Sequence, residues 1–127
     1  MPMKYQPNAM QCAMLTVLLV TEYEKEKEKT TTRARISHIT LRTISARTRL
    51  RASFLDEWID ALAELGWSAF PVGDHFAIIK TDTTEKWVRI ASKRIRPTLK
   101  RVYSGDTAVF DELEMLGEAM EEPDWLE

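Results

Sequence analysis

Arg47, Arg49 and Arg51 alternate through "TISARTRLRASF", residues 43 to 54, with no carboxylate among them. Arginine presents forked guanidinium donors that fit phosphate oxygens or the edge of guanine. Thr48 and Ser53 add hydroxyl donors to the same stretch. Upstream, Arg33, Arg35 and Arg42 bring the count to six arginines from residue 33 to residue 51, again without an acid. The chemistry such a set performs is contact with an anionic polymer. The competing arrangement is internal. Asp56, Glu57, Asp60 and Glu64 follow at once, and Arg47 or Arg51 paired with Asp56 or Glu57 would be an ordinary surface ion pair.

No residue set supplies the roles of a catalyst. His38 and His75 have no Cys or second His at ligand spacing, Asp74-His75 is a turn pair, and no Gly-rich phosphate loop occurs. The expectation is therefore a protein without enzymatic activity, metal or cofactor. Cys12 is the single cysteine, which excludes an intramolecular disulfide and suits a reducing, cytoplasmic home. It lies in the apolar run "AMQCAMLTVLLV", residues 9 to 20. That run is too short to span a bilayer and lacks a small-x-small cleavage pattern, so it reads as a buried core helix, with no membrane partner.

The net charge of −2 conceals a segregated distribution. Residues 86–101 hold seven basic side chains and no acid, whereas residues 106–127 hold nine acids and no base. Lys86, Arg89, Lys93 and Arg94 are candidate phosphate contacts; alternatively, the acidic segment covers this basic block. A third arrangement gives the C-terminal helix a dimer face of Phe110, Leu113, Leu116 and Met120. The implied partner is then a second copy or another protein.

The elements that would position these residues follow from length, composition and periodicity. A chain of 127 residues, 44% hydrophobic and 30% charged with few Gly and Pro, suits a globular, helix-rich fold. A first helix is expected from about Asn8 to Lys29, buried on more than one side because Leu15, Leu19 and Val20 widen its apolar face. "TTTRARI" suits a short strand, and Ser37 then caps a helix through "HITLRTISAR". After a break at Thr48 to Leu50, Phe54, Leu55, Trp58, Ile59, Leu62 and Leu65 mark a second helix that Gly66 stops.

Residues 67 to 80 form two β-type runs around Gly73-Asp74, with Pro71 placing its strand at a sheet edge. "TDTTEKWVRIASKRI" is expected to be a basic helix with capping-box spacing at Asp82 and Glu85, ended or kinked by Pro97. A last helix covers about Thr107 to Met120. Trp58, Trp67 and Trp87 are expected in the core; Trp125 in "EEPDWLE" reads as part of a frayed terminus, with an exposed partner-docking anchor as the alternative.

Helix, strand, helix, turn, helix and hairpin in this order resemble a winged helix-turn-helix domain. The stretches carrying the likeness are "ISHITLRTISARTRLRASFLDEWIDALAELGW" and "SAFPVGDHFAII", the first closing on "LAELGW". The resemblance implies a mainly α fold with a small β-hairpin wing, over residues 1–103 with the following basic helix. Residues 104–127 then form an acidic C-terminal helix and tail for dimerisation or partner docking. It also implies sequence-specific binding of double-stranded DNA by a small prokaryotic-type transcriptional regulator. Arg47, Thr48, Arg49, Arg51 and Ser53 would occupy the turn and leading end of the recognition helix. His75 would touch flanking DNA from the wing tip, and Arg33, Arg35 and Arg42 would neighbour phosphates. The alternative function is a winged protein-interaction module, or a subunit of a larger complex that reads no DNA itself.

Overall fold

Asn8 starts the first helix by a reciprocal cap. Its side chain accepts the Gln11 amide at 2.8 Å, and the Gln11 side chain accepts the Asn8 amide at 3.1 Å. The computed structural model describes residues 5–120, with side chains through residue 117. Contacts divide the chain into two compact units, Met1–Trp87 and Val88–Glu127. The chain is mainly helical, with one small three-stranded antiparallel sheet among the described residues.

In the first unit, α1 (Ala9–Lys27) leads to β1 (Arg33–Ser37), α2 (His38–Ser45), α3 (Ala52–Glu64), β2 (Trp67–Val72) and β3 (His75–Lys80). The sheet order is β1-β3-β2, so β2, with Pro71, lies at an edge as expected. Gly66, at φ 87°, ends the α3 turn, and Gly73, at φ 59°, supplies the positive φ of the hairpin at its first central place. Alternation turns Ala34, Ile36, Phe76 and Ile78 to one face of the sheet, leaving Arg33 and Arg35 on the other.

The core lies where α1, α2 and α3 meet that inner face. α1 packs on α3, and α3 on β2. Trp58 is fully buried, edge-on to Phe76 at 5.2 Å, while His38 stacks on Phe76 at 4.7 Å. The indole N–H of Trp58 donates to Thr16 Oγ1 at 3.2 Å, and that hydroxyl donates to the Cys12 carbonyl at 2.8 Å. Both buried polar groups are thereby satisfied.

α1 departs from the expectation of burial on more than one side. Cys12, Ala13, Thr16 and Val20 are buried, but Met14, Leu15, Leu18, Leu19 and Tyr23 are exposed. The helix has two apolar faces, and the fold covers one of them.

The expected basic helix after the hairpin does not form. Thr81–Lys86 is a 3₁₀ turn without a side-chain cap, residues 87–91 are irregular, and Ser92–Ile95 is a second 3₁₀ turn. Trp87, Val88 and Ile90 are 57%, 85% and 80% exposed, so Trp87 is no core residue either. The reason is physical: an amphipathic helix needs a surface to bury its stripe against, and none of the described residues covers this segment. Thr81, Thr83, Thr84, Val88 and Ile90 add the poor helix preference of β-branched side chains. Pro97 begins a helix instead of ending one, sitting in the first turn of α4 (Arg96–Tyr103).

In the second unit, α4 is followed by α5 (Ala108–Met120), close to the expected span. Arg101 joins the two helices, reaching Asp106 at 2.9 Å and forking onto Glu112 at 3.0 and 3.2 Å. That fork holds the Glu112 carboxyl below its usual range. It is one direct meeting of the basic and acidic blocks, made inside this unit. Trp125 lies outside the described residues.

Candidate nucleic-acid interface

α2 owes its limits to two local devices. Ser37 Oγ accepts the Thr40 amide at 3.1 Å and opens the helix. At the other end Ala46 adopts φ 55°, and the amides of Ala46 and Arg47 return to the carbonyls of Thr43 and Arg42 at 3.3 and 3.1 Å. This Schellman-type closure normally takes glycine, because a Cβ is strained at positive φ. The chain then runs through Thr48, Arg49 and Leu50 to Arg51, which starts α3 with no side-chain cap.

The three alternating arginines do not share one role. Arg47 turns inward and is half-buried. Its Nη1 donates to the Pro7 carbonyl at 2.8 Å and to the Ser45 carbonyl at 3.0 Å. Its guanidinium lies 4.0 Å from the centre of the Phe54 ring. Gln6 Nε2 donates to the Ala46 carbonyl at 3.0 Å, so the segment before α1 is tied to the turn between α2 and α3 twice. Cys12 Sγ also donates to Pro7 O, at 3.6 Å. Burial pushes the Cys12 thiol up, with the Arg47 charge and hydrogen bond opposing.

Arg49 and Arg51 are exposed, as are Thr48 and Ser53. One polar hollow is lined by Arg47, Thr48, Arg49, Arg51 and Ser53, with Gln6, Phe54 and Glu57 completing it. A second hollow joins Arg42 and Thr43 to Arg47 and Thr48 across the end of α2. Six of the expected contacts therefore gather at the turn. Among the described residues, no ion pair joins Arg33, Arg35, Arg42, Arg47, Arg49 or Arg51 to a carboxylate. Asp56, Glu57, Asp60 and Glu64 are exposed along α3, facing away from buried Phe54, Trp58, Ala61 and Leu62.

The remaining expected residues lie elsewhere. Arg33 and Arg35 stand on the outer face of β1 and line a groove with Leu19, Tyr23 and Lys29. His75 opens β3, opposite Ser37 and Val72, with Nδ1 3.4 Å from Asp74 Oδ1. Lys86 belongs to the first unit, whereas Arg89, Lys93 and Arg94 belong to the second; all four are exposed. Phe110, Leu113 and Leu116 are exposed on α5, and the side chain of Met120 lies outside the described residues.

Sequence reasoning missed Gln6 and Pro7, the two residues that hold the turn. Each acts across 40 residues, and neither type at its position signals such a contact. Glu57, expected as a pairing partner of Arg47 or Arg51, borders the arginine hollow without an ion pair to either among the described residues. Among the described residues no helix is long and apolar enough to cross a membrane, and no group of three potential metal ligands occurs. Compared with known proteins, the chain matches no family model, no curated protein and no solved structure.

Proposed function

We propose that the first unit is a winged helix-turn-helix that binds double-stranded DNA through the α2–α3 turn and the first turn of α3. The element order and the β1-β3-β2 sheet support the winged reading, with the β2–β3 hairpin as the wing. The observation that carries the function is the state of Arg49 and Arg51. Both are exposed, free of carboxylate partners among the described residues, and set beside Thr48 and Ser53 where α3 begins without a side-chain cap. Free amide groups and the positive end of the helix dipole favour an anion at that place.

On this reading phosphate contacts position the domain and Arg49, Arg51 and Ser53 choose sequence. Arg42 and Thr48 flank them, and Arg33, Arg35 and His75 serve the flanking backbone from the sheet. The chain is then a small non-catalytic regulator of transcription working in the cytoplasm. The acids along α3 confine the contact to its leading end, because Asp56, Glu57, Asp60 and Glu64 repel phosphates beyond the first turn.

Selection of bound duplexes from a random pool, followed by titration at two salt concentrations, tests this. The expected result is an enriched motif, tight binding at low salt, and loss of binding in the double variant Arg49→Glu, Arg51→Glu with unchanged melting. Intact duplex affinity in that variant overturns the site. A second reading rests on the same four exposed carboxylates: α3 presents an acidic surface to a basic protein partner. No duplex binding at low salt, together with loss of a stable protein complex in Asp56→Lys, Asp60→Lys, would select it.

A further inference from the structure

The face of α1 left exposed among the described residues carries a second surface, which adjoins the Arg33–Arg35 groove through Leu19 and Tyr23. Met14, Leu15, Leu18, Leu19 and Tyr23 are 56%, 39%, 50%, 41% and 42% exposed, and Tyr5 beside them is 65% exposed. Helical spacing sets Met14 and Leu18 opposite the buried Cys12–Thr16–Val20 row, while Leu15, Leu19 and Tyr23 form the adjoining row at four-residue steps. We infer that this face is the interface between two copies of the chain, packed as an antiparallel pair of α1 helices.

Three observations select a second copy as the occupant. The first is area. The open parts of these six residues amount to on the order of 600 Å², close to the roughly 800 Å² each partner buries in a standard interface, and homodimer contacts are the more apolar kind.

The second is charge. Residues 9 to 21 hold no charged side chain, while Glu22, Lys25 and Glu26 continue the open face at its C-terminal end. A parallel pair would set Glu22 against Glu22 and Glu26 against Glu26. An antiparallel pair centred between Leu15 and Leu18 sets Leu15 against Leu18 and Met14 against Leu19 of the second copy. It also brings Glu22 to Gln11. Gln11 Oε1 is engaged by the Asn8 amide and the Tyr5 hydroxyl, which leaves its NH₂ to donate to that carboxylate. The positive end of the α1 dipole favours the same approach.

The third is shape. A shallow hollow bounded by Tyr5, Pro7, Gln11, Met14 and Leu15 lies at the N-terminal end of the face. In the antiparallel arrangement Leu19 and Tyr23 of the other copy reach this end, and the two-fold repeats the fit.

Light-scattering mass measurement of the full chain is the test. The parent should weigh twice the 14.7 kDa of one chain at micromolar concentration. Leu15→Glu, Leu18→Glu should weigh 14.7 kDa, with unchanged far-ultraviolet circular dichroism, because both positions are already open to water. Phe110→Glu, Leu113→Glu on α5 should remain a dimer. A monomeric parent at 100-fold higher concentration overturns the inference. So does a dimer that survives the α1 charges, or one that the α5 charges alone dissociate.

Discussion

Replacing Arg47 by Met keeps an unbranched stem of similar reach over Phe54 and removes the guanidinium. Two hydrogen bonds to the carbonyls of Pro7 and Ser45, at 2.8 and 3.0 Å, are lost together with the ring contact at 4.0 Å. Hydrogen bonds from a charged group contribute roughly 1.5–3 kcal/mol, and a partly exposed cation–π contact about 0.5–1 kcal/mol. Arg47 is half-buried, so water restores part of this to both carbonyls, and a net loss of about 2–3 kcal/mol is expected. For a unit of this size that lowers the melting temperature by roughly 10–20 °C. Urea unfolding followed by tryptophan fluorescence measures it, with Arg49→Met and Arg51→Met as exposed controls that should stay within about 0.5 kcal/mol of the parent. If Arg47→Met is as stable as the controls, Arg47 is no clamp and the division of labour among the three arginines fails.

Three further outcomes are expected. Thr16→Val leaves the buried Trp58 indole N–H without its acceptor and should cost about 1–3 kcal/mol, whereas Thr16→Ser should cost far less; equal losses in the two urea curves would contradict this. Ala46→Gly relieves a Cβ at φ 55° and should stabilise the unit by about 0.5–1 kcal/mol, read as a higher melting temperature. Burial raises the Cys12 thiol above its ordinary 9.0, so the folded chain holds that proton more tightly than the unfolded one. Its contribution to stability is therefore complete below pH 9.0 and declines as pH rises above it. Cys12→Ala should melt less steeply lower between pH 8 and 10 than the parent, and native Cys12 should resist thiol reagents until the chain unfolds.

The elements legible in the sequence were those fixed by neighbours along the chain. Asn8, Ser37, Gly66 and Gly73 each act within a few residues, through a cap or a positive φ, and each stands at the boundary its type implies. The α3 stripe was legible for the same reason, since Phe54, Trp58 and Leu62 share one face by spacing alone. What spacing cannot encode is whether a surface exists to receive a stripe. Trp87 and Ile90 repeat the helical interval but meet no core among the described residues, and α1 carries two apolar faces of which the described fold covers one. Arg47 was illegible in a different way. Its type and place matched those of Arg49, and what separates their roles is contact with the Pro7 carbonyl forty residues away, together with the Ser45 carbonyl and the Phe54 ring.

On the proposed reading, that separation limits how strongly one copy would hold DNA. With Arg47 engaged internally and α3 acidic beyond its first turn, the leading end offers Arg49 and Arg51, with Arg42 flanking. If each neutralises one phosphate, and Arg33 and Arg35 reach two more, the logarithm of affinity falls with that of salt at a slope of roughly −3 to −5. Pairing through α1 would double the contacts, and so the slope, wherever both copies engage one duplex. Leu15→Glu, Leu18→Glu should therefore halve the salt slope while leaving Arg49 and Arg51 untouched, and Arg49→Ala should lower it by about 2, one phosphate per copy. An unchanged slope in the α1 variant would mean that one copy binds alone, whatever its mass in free solution. A slope near zero in the parent would remove phosphate contact from the turn altogether and leave the acidic face of α3 as the working surface.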